Sequence, residues 1–182
     1  MNKNIPIKNF HHVAFRCRDA EQTRWFYEDI LGLKLAAAMS FNSLSGTNQK
    51  IEYMHIFFEM IDGNYIAFFD DPHNAEIDSF KDMNGFDSHV AVEVESMEHL
   101  KEIEEKLNTI DWGSFIIDHE FVTSLYIFDP NGIQLEFTCR ALNHDEIMEE
   151  DAAKAHEELM KWTKKTRDIK IEKFGKEALN SK

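Results

Sequence analysis

A weak internal repeat limits what this chain can fold into more than any other feature of its sequence. The sequence HVAF at residues 12–15 is echoed by HVAV at residues 89–92. Farther along, DGNYIAF at residues 62–68 is echoed by NGIQLEF at residues 131–137. Each copy begins with an alternating strand and a helix-like stretch, and each later has a glycine turn that opens a strand. The repeat therefore predicts two structural units of the same plan.

Each copy predicts the order strand, helix and three further strands. Asp19 followed by Gln22 is typical of a helix start, and Gly32 is typical of a helix end. The predicted elements are a strand over residues 7–18, a helix over 20–30, strands near 33–42, 51–60 and 64–70, a strand over 87–95, a helix over 97–108, and strands near 113–119, 122–128 and 133–139. The chain thus predicts one module over about residues 7–70 and a second over about residues 86–140.

The last forty residues differ from the rest in composition. Residues 143–182 hold ten acids and nine bases, whereas the whole chain has a net charge of −14. Apolar residues recur there at spacings of 4, 3, 4 and 3, as expected for one face of a helix: Met148, Ala152, Ala155, Leu159 and Trp162. Beyond Trp162 the periodicity is weak, which is consistent with a second short helix or a frayed end. We therefore expect a domain over residues 1–142 and a helical tail over 143–182 that covers a module or packs on a second subunit.

Charge and composition exclude several classes of function. A net charge of −14 and a pI of about 5.0 argue against a nucleic-acid partner, which would need a basic face. No apolar run approaches the ~18 residues of a membrane span, and the first residues do not resemble a signal peptide. The two cysteines, Cys17 and Cys139, lie in apolar strand-like runs and are expected to be reduced and buried. We expect a cytoplasmic protein without a membrane partner.

Strand alternation puts the apolar Val13, Phe15 and Cys17 on the face under the helices and, in the same way, places three chemically active side chains on the uncovered faces. They are His12 in the first strand, His89 in the equivalent strand of the second copy, and Glu136 in the last strand. A single histidine or glutamate on a strand is more often structural or solvated, but equivalent positions in a repeat favour a site. Two histidines and one carboxylate can hold a metal ion and leave positions open for substrate oxygens, water or dioxygen.

At these residues the sequence resembles the vicinal oxygen chelate superfamily, which includes glyoxalase I, bleomycin-resistance proteins, fosfomycin-resistance enzymes and extradiol dioxygenases. The resemblance covers roughly residues 8–140 and rests on four strings: HHVAF at 11–15, WFYEDILGLKL at 25–35, HVAV at 89–92 and SLYIFDPNGIQLEF at 124–137. It implies an α+β fold of two βαβββ modules whose mixed sheets curl around a metal site, here with a C-terminal helical extension.

The resemblance also implies which residues bind the metal. It puts His12, His89 and Glu136 at three of the ligand positions, whereas the fourth falls on Ala67, which cannot bind a metal. The site therefore resembles the three-ligand variety of extradiol dioxygenases and of some metal-dependent hydrolases and transferases. Fe(II) is the expected cofactor, with Mn, Zn or Ni as alternatives.

Two further residues are candidate catalytic groups. Extradiol enzymes carry a tyrosine ten residues before the ligand glutamate, and Tyr126 stands at that position. Its phenol could donate a hydrogen bond to a reacting substrate oxygen, and His119 could move a proton because histidine titrates near neutrality. An ordinary core tyrosine is an equally good interpretation of Tyr126.

Three functions remain open from the sequence. The first is a metal-dependent enzyme that binds the adjacent oxygens of a small aromatic substrate, with extradiol-type ring cleavage as the favoured reaction. The second is a glyoxalase-type isomerase, lyase or hydrolase, and the third is a binding protein without chemistry. Because members of the superfamily commonly dimerise, sometimes exchanging modules, we also expect a homodimer.

Overall fold

The fold consists of two four-stranded mixed sheets, each partly covered by a helix. A computed structural model describes residues 7–44 and 46–179. The elements are β1 (His12–Cys17), α1 (Ala20–Arg24), β2 (Lys34–Ser43), β3 (Lys50–Glu59), β4 (Tyr65–Asp70), β5 (His89–Glu93), α2 (Met97–Thr109), β6 (Phe115–Asp118), β7 (Val122–Phe128), β8 (Gln134–Arg140) and α3 (His144–Phe174). The strand orders, β1-β4-β3-β2 and β5-β8-β7-β6, are equivalent. This architecture confirms the predicted α+β class and the repeated βαβββ plan.

The first helix begins and ends where the sequence predicts. The Asp19 carboxylate accepts a hydrogen bond from the backbone N–H of Gln22 at 2.6 Å, which satisfies a free amide at the helix start. After Arg24 the helix widens into a π-helical turn over Trp25–Ile30, a departure that the sequence pattern does not reveal. The chain then reverses at Gly32, whose φ of +81° lies in the left-handed region.

Several strands are shorter than the sequence predicts. The strand expected over residues 7–18 is limited to β1, and the strand expected over 87–95 is limited to β5. The physical reason is the length of the partner strand, because β1 pairs in parallel with β4, which offers only the six residues from Tyr65 to Asp70. Residues of high strand propensity outside this ladder have no backbone to pair with.

The predicted inner faces do form the core. Val13, Phe15 and Cys17 of β1 pack into one apolar cluster together with Leu135 and Phe137 of β8. Cys17 and Cys139 are both free and buried, as expected. Burial raises the pKa of the Cys17 thiol to about 12, so this thiol stays protonated at neutral pH.

Aromatic rings on the helix side hold the two modules together. Trp112, which follows α2, lies 5.1 Å from Phe26 and 6.3 Å from Trp25 between ring centroids. The indole N–H of Trp112 donates to the backbone oxygen of Phe128 at 2.8 Å, so its polar atom is satisfied. These contacts join the two modules on the side of each sheet that is covered by its helix.

A buried polar network at the turn between β7 and β8 adds a second connection. The side chain of Asn131 accepts from the backbone N–H of Arg18 at 2.8 Å and donates to the Thr23 hydroxyl at 3.2 Å. The neighbouring Asp129 accepts from the Tyr27 hydroxyl at 3.0 Å. Burial raises the pKa of Asp129 and holds the pKa of Tyr27 well above its usual range, which keeps the phenol protonated as a donor.

Glycine is required at the end of the same turn. Gly132 has a φ of +80°, and a Cβ atom placed there would lie 2.3 Å from the backbone oxygen of Lys81. The linker that joins β4 to β5 therefore passes directly over the turn, and its Met83 N–H donates to the backbone oxygen of Gly132 at 2.8 Å. The DPNG sequence of the repeat is thus a site of contact between the linker and the second module.

The tail forms one long helix, which corrects the expectation of a break near Trp162. Helix α3 runs without interruption from His144 to Phe174, and none of its residues is buried. It touches the rest of the chain near its start, where the His144 ring lies 6.0 Å from Phe121, and a short 3-10 turn over Glu177–Leu179 lies against its end. The alternative that the tail covers a module of its own chain is therefore wrong. Among the described residues, no helix combines the length and the apolar character needed to cross a membrane.

Replacing Asn131 tests the contribution of the buried network to stability. Asn131→Ala leaves the Arg18 amide and the Thr23 hydroxyl without their buried partner, so the free energy of unfolding should fall by about 1–3 kcal/mol. Urea denaturation followed by circular dichroism measures this change. Asn64→Ala, which removes an exposed turn contact to Asp62, is the matched control and should cost clearly less. Equal losses in the two variants would contradict a special role for the network.

Candidate metal centre

Parallel pairing of β5 with β8 brings the first two candidate ligands together. Ala91 pairs with Glu136 in this ladder, and His89 lies two residues earlier on the same face. The His89 Nε2 atom is 3.4 Å from the Glu136 Oε2 atom. Glu136 is only 8 % exposed, whereas His89 lies at the open edge of the site.

Neighbouring groups fix how these two side chains face each other. The His89 Nδ1 atom is 2.8 Å from the backbone oxygen of Gly85, and since a carbonyl only accepts, Nδ1 carries the proton in the neutral ring. The Ser124 hydroxyl donates to the Glu136 Oε1 atom at 2.6 Å. The two remaining atoms, Nε2 and Oε2, are therefore both electron-pair donors pointing at one place. Such a donor set fits a divalent cation.

Tyr126 and His119 lie next to this pair on the same face of the second sheet. Tyr126 of β7 stands opposite Glu136 in the antiparallel ladder with β8. Its hydroxyl is 2.9 Å from the His119 Nε2 atom, and its ring stacks on Phe115 at 5.1 Å. Burial raises the pKa of Tyr126, and the Glu136 carboxylate raises it further, so the phenol stays protonated at neutral pH. The structure thus brings together four of the five candidate site residues.

His12 stands apart from the other four. It lies on β1 in the first sheet, where its Nδ1 atom is 2.8 Å from the Nδ1 atom of His11 and its ring lies 5.5 Å from Phe57. Within residues 7–44 and 46–179, no three histidine, cysteine or carboxylate side chains of one chain lie close enough to hold an ion. A single chain therefore supplies two of the expected ligands in one place and presents the third elsewhere.

The position of the missing fourth ligand is closed by apolar groups. Ala67 is buried on β4, where it pairs with Ala14 of β1 and with Phe57 of β3. No side chain with a metal-binding atom takes its place in this ladder. The face of the first sheet around His12 is instead lined by aromatic rings.

One site residue, Ser124, was not recognised as such in the sequence, and His55 adds a polar group to the open face of the first sheet. Ser124 orients Glu136, and alternation could have revealed it because it lies two residues before Tyr126 on the same strand face. His55 of β3 faces the same side as His12, with their ring centroids 6.4 Å apart, and stacks on Phe69 at 3.8 Å. Its Nε2 atom is buried without a hydrogen-bond partner among the described residues, and burial lowers its pKa.

Comparison with models of known protein families shows to which family the chain belongs. A model of the Glyoxalase/Bleomycin resistance protein/Dioxygenase superfamily matches residues 9–137. The chain belongs to this superfamily. The match spans both modules and ends just after Glu136, and so includes the five candidate site residues.

Solved structures of the superfamily share the fold at low sequence identity. A glyoxalase/bleomycin resistance protein/dioxygenase domain from Frankia sp. EAN1pec is 21 % identical, with a TM-score of 0.62 over 78 % of this chain and 99 % of that chain. The fosfomycin resistance protein FosX from Listeria monocytogenes, solved with Mn(II), is 16 % identical, with a TM-score of 0.54 over 77 % and 98 %. Lactoylglutathione lyase from Agrobacterium tumefaciens is 17 % identical, with a TM-score of 0.53 over 74 % and 95 %. A search of curated proteins gives no match.

Ser124→Ala tests the hydrogen bond that orients the carboxylate of this superfamily member. The variant leaves the buried Glu136 carboxylate without its hydroxyl donor, so the free energy of unfolding should fall by about 1.5–3 kcal/mol. Chemical denaturation at neutral pH measures the change. Ser79→Ala, at an exposed serine in the linker, is the control and should lie within about 0.5 kcal/mol of the wild type. A Ser124→Ala variant as stable as this control would contradict the proposed orientation of Glu136.

Proposed function

We propose that this protein is a metal-dependent enzyme acting on a small molecule that presents two adjacent oxygen atoms. The observation that carries the proposal is the convergence of His89 Nε2 and Glu136 Oε2, two electron-pair donors 3.4 Å apart, beside the hydrogen-bonded Tyr126 and His119. A divalent metal bound there would supply a Lewis acid that holds and polarises the substrate oxygens. Fe(II) is the proposed ion, and Mn(II), Zn(II) and Ni(II) are the alternatives.

The site is proposed to be completed by a second copy of the chain. The open face around His12 and the open face around His89 and Glu136 both remain accessible in a single chain, while the contacts between modules lie on the helix side. A homodimer in which the first sheet of one copy faces the second sheet of the other would bring His12 to His89 and Glu136. The aromatic rings of Phe57 and Tyr65, which lie near His12, would then cover the substrate.

Tyr126 and His119 are proposed to handle the substrate proton and the developing charge. The protonated phenol of Tyr126 can donate to a substrate oxygen as negative charge grows on it. The His119 Nε2 atom, 2.9 Å from the phenol oxygen, can take or return a proton through it. Phe115 stacks on the Tyr126 ring and limits its movement.

The reaction that best fits this arrangement is extradiol-type cleavage of an aromatic ring. Three protein ligands leave room for both oxygens of a catechol, and Ala67 supplies no fourth ligand to block them. The overall reaction breaks the ring C–C bond next to the diol and leaves one atom of dioxygen on each of the two carbons of that bond. We place the protein in the cytoplasm, where reducing conditions keep the two buried cysteines as thiols.

A heterodimer of two variants tests whether the metal site is shared between copies. His12→Ala and Glu136→Gln should each abolish tight Mn(II) binding, because each removes one ligand. Carrying different affinity tags and co-expressed, the two variants can be isolated as a heterodimer with one intact site, in which His12 and Glu136 come from opposite chains. Electron paramagnetic resonance should then detect about one tight Mn(II) per heterodimer and about two in the wild-type dimer.

The control for this measurement is His99→Ala on α2, a histidine away from the sheet faces, which should retain the wild-type Mn(II) content. A heterodimer that binds no Mn(II), although both parent variants dimerise, would show that the ligands do not come from opposite chains. Tight binding retained in either parent would remove that residue from the ligand set.

Oxygen consumption tests the reaction class. Protein loaded anaerobically with Fe(II) should consume dioxygen with at least one member of a catechol panel and form a yellow ring-opened product. Tyr126→Phe should lower kcat by about 100-fold or more with Fe(II) content unchanged, because it removes a proton donor and not a ligand. Tyr53→Phe, on β3 of the first sheet, is the matched control. Conversion without oxygen uptake would indicate a glyoxalase-type reaction, and binding without conversion would indicate a sequestering protein.

A further inference from the structure

We propose that helix α3 pairs with the α3 helix of a second copy in antiparallel orientation. This inference concerns a surface outside the candidate metal centre and does not depend on the proposed chemistry. It starts from the exposure of large apolar side chains along a helix of 31 residues. Leu159 is 61 % exposed, Trp162 is 55 % exposed and Ile169 is 68 % exposed. An isolated chain would leave this stripe in water.

The spacing of the stripe is that of a helix-pairing seam. The alternation of four-residue and three-residue steps that starts at Met148 continues past Trp162 through Thr166 to Ile169. This spacing averages 3.5 residues, which keeps one narrow stripe facing a partner helix along the length of α3. The structure supports the extension, since α3 remains helical to Phe174. The short turn over Glu177–Leu179 lies against Arg167, beside the stripe.

The distribution of charge along α3 favours a second copy of α3 as the partner, in antiparallel orientation. Residues 144–158 contain seven acids and one lysine, a net charge of −6, whereas residues 159–174 contain six bases and two acids, a net charge of +4. Two copies side by side in parallel would place like charges together along the whole helix. Two antiparallel copies place the acidic half of each against the basic half of the other. The helix is therefore complementary to itself in this direction.

One antiparallel register pairs the apolar side chains of the two stripes over nearly the whole length of the helix. It places Leu159 of each copy beside Trp162 of the other, and the small Ala152 and Ala155 opposite the larger Ile169 and Thr166. Small side chains facing large ones allow close packing along a helix of about 46 Å. This layered arrangement is that of an antiparallel helix pair related by a two-fold axis.

The residues that flank the stripe in this register also pair mainly with opposite charges. Glu149 faces Lys170, and Glu158 faces Lys165, each pair occurring twice by symmetry. One flanking pair, Asp151 and Glu172, brings like charges together. In the parallel alternative, by contrast, Lys165 faces Lys170 of the partner, and neither glutamate meets a base. The balance of the flanking charges therefore favours the antiparallel pair.

Engineered disulfides test both the pairing and its direction. The double variant Ala155→Cys, Thr166→Cys places two thiols opposite each other in the antiparallel register, whereas within one helix they lie about 16 Å apart and cannot join. Mild oxidation of the full chain at micromolar concentration should convert the double variant to a covalent dimer on non-reducing gels. At least about ten times more dimer should form than in either single variant, since pairing raises the local thiol concentration to the millimolar range.

The matched control is Ala153→Cys, Lys164→Cys, which has the same spacing of eleven residues on the outer face of α3. It should form no more covalent dimer than the single variants, and the native Cys17 and Cys139 are buried away from this reaction. Efficient cross-linking of Ala155→Cys alone would show a parallel pair and overturn the proposal. Equal cross-linking of the inner-face and outer-face double variants would show random collision and would overturn it as well.

Discussion

The register between the first and last strands of each module determines most of what this protein presents to a ligand. In the second module Ala91 pairs with Glu136, and because alanine is small, no large side chain stands between His89 and the carboxylate. A shift of one residue would turn Glu136 into the apolar core and bring Leu135 or Phe137 to the open face. The same ladder that buries the core cluster therefore sets the distance between two candidate ligands.

The equivalent ladder in the first module has the same geometry but a different outcome. There His12 and Ala14 of β1 stand beside Tyr65 and Ala67 of β4, so an imidazole is present without a carboxylate. The repeat has thus diverged into a module with a polar site and a module with an aromatic face. Among residues 7–44 and 46–179, neither face brings three possible metal ligands together, because the second module offers His89 with Glu136 and the first offers His12 without a carboxylate beside it. In the homodimer proposed above, the two unlike faces would complement each other.

Alternation and the internal repeat predicted the order of the elements, and the resemblance to the superfamily implied the mixed sheets of the two modules. Alternation identified Val13, Phe15 and Cys17 as core, and the echo of HVAF by HVAV identified the repeat. The position of His12 relative to Glu136 could not be predicted in this way, since alternation fixes a face within one sheet and says nothing about how two sheets are oriented. The joining contacts, such as Trp112 with Phe26 and Asn131 with the Arg18 amide, involve residues whose partners are distant in sequence. The Tyr126–His119 contact could be predicted more easily, because His119 lies in the short turn that leads from β6 into β7, the strand that carries Tyr126.

The polar network at the DPNG turn shows why the modules can keep open faces without losing their mutual orientation. Asn131 makes its bonds to the first module at Arg18 and Thr23, and Asp129 makes its bond at Tyr27, all on the covered side. Satisfied polar groups in a buried interface tolerate little rotation, because any movement would leave donors unpaired. The open faces are therefore held at a fixed angle by contacts that do not use their side chains. His89, Glu136, Tyr126 and the aromatic residues around His12 take no part in these joining contacts, so the turn maintains the fold without them.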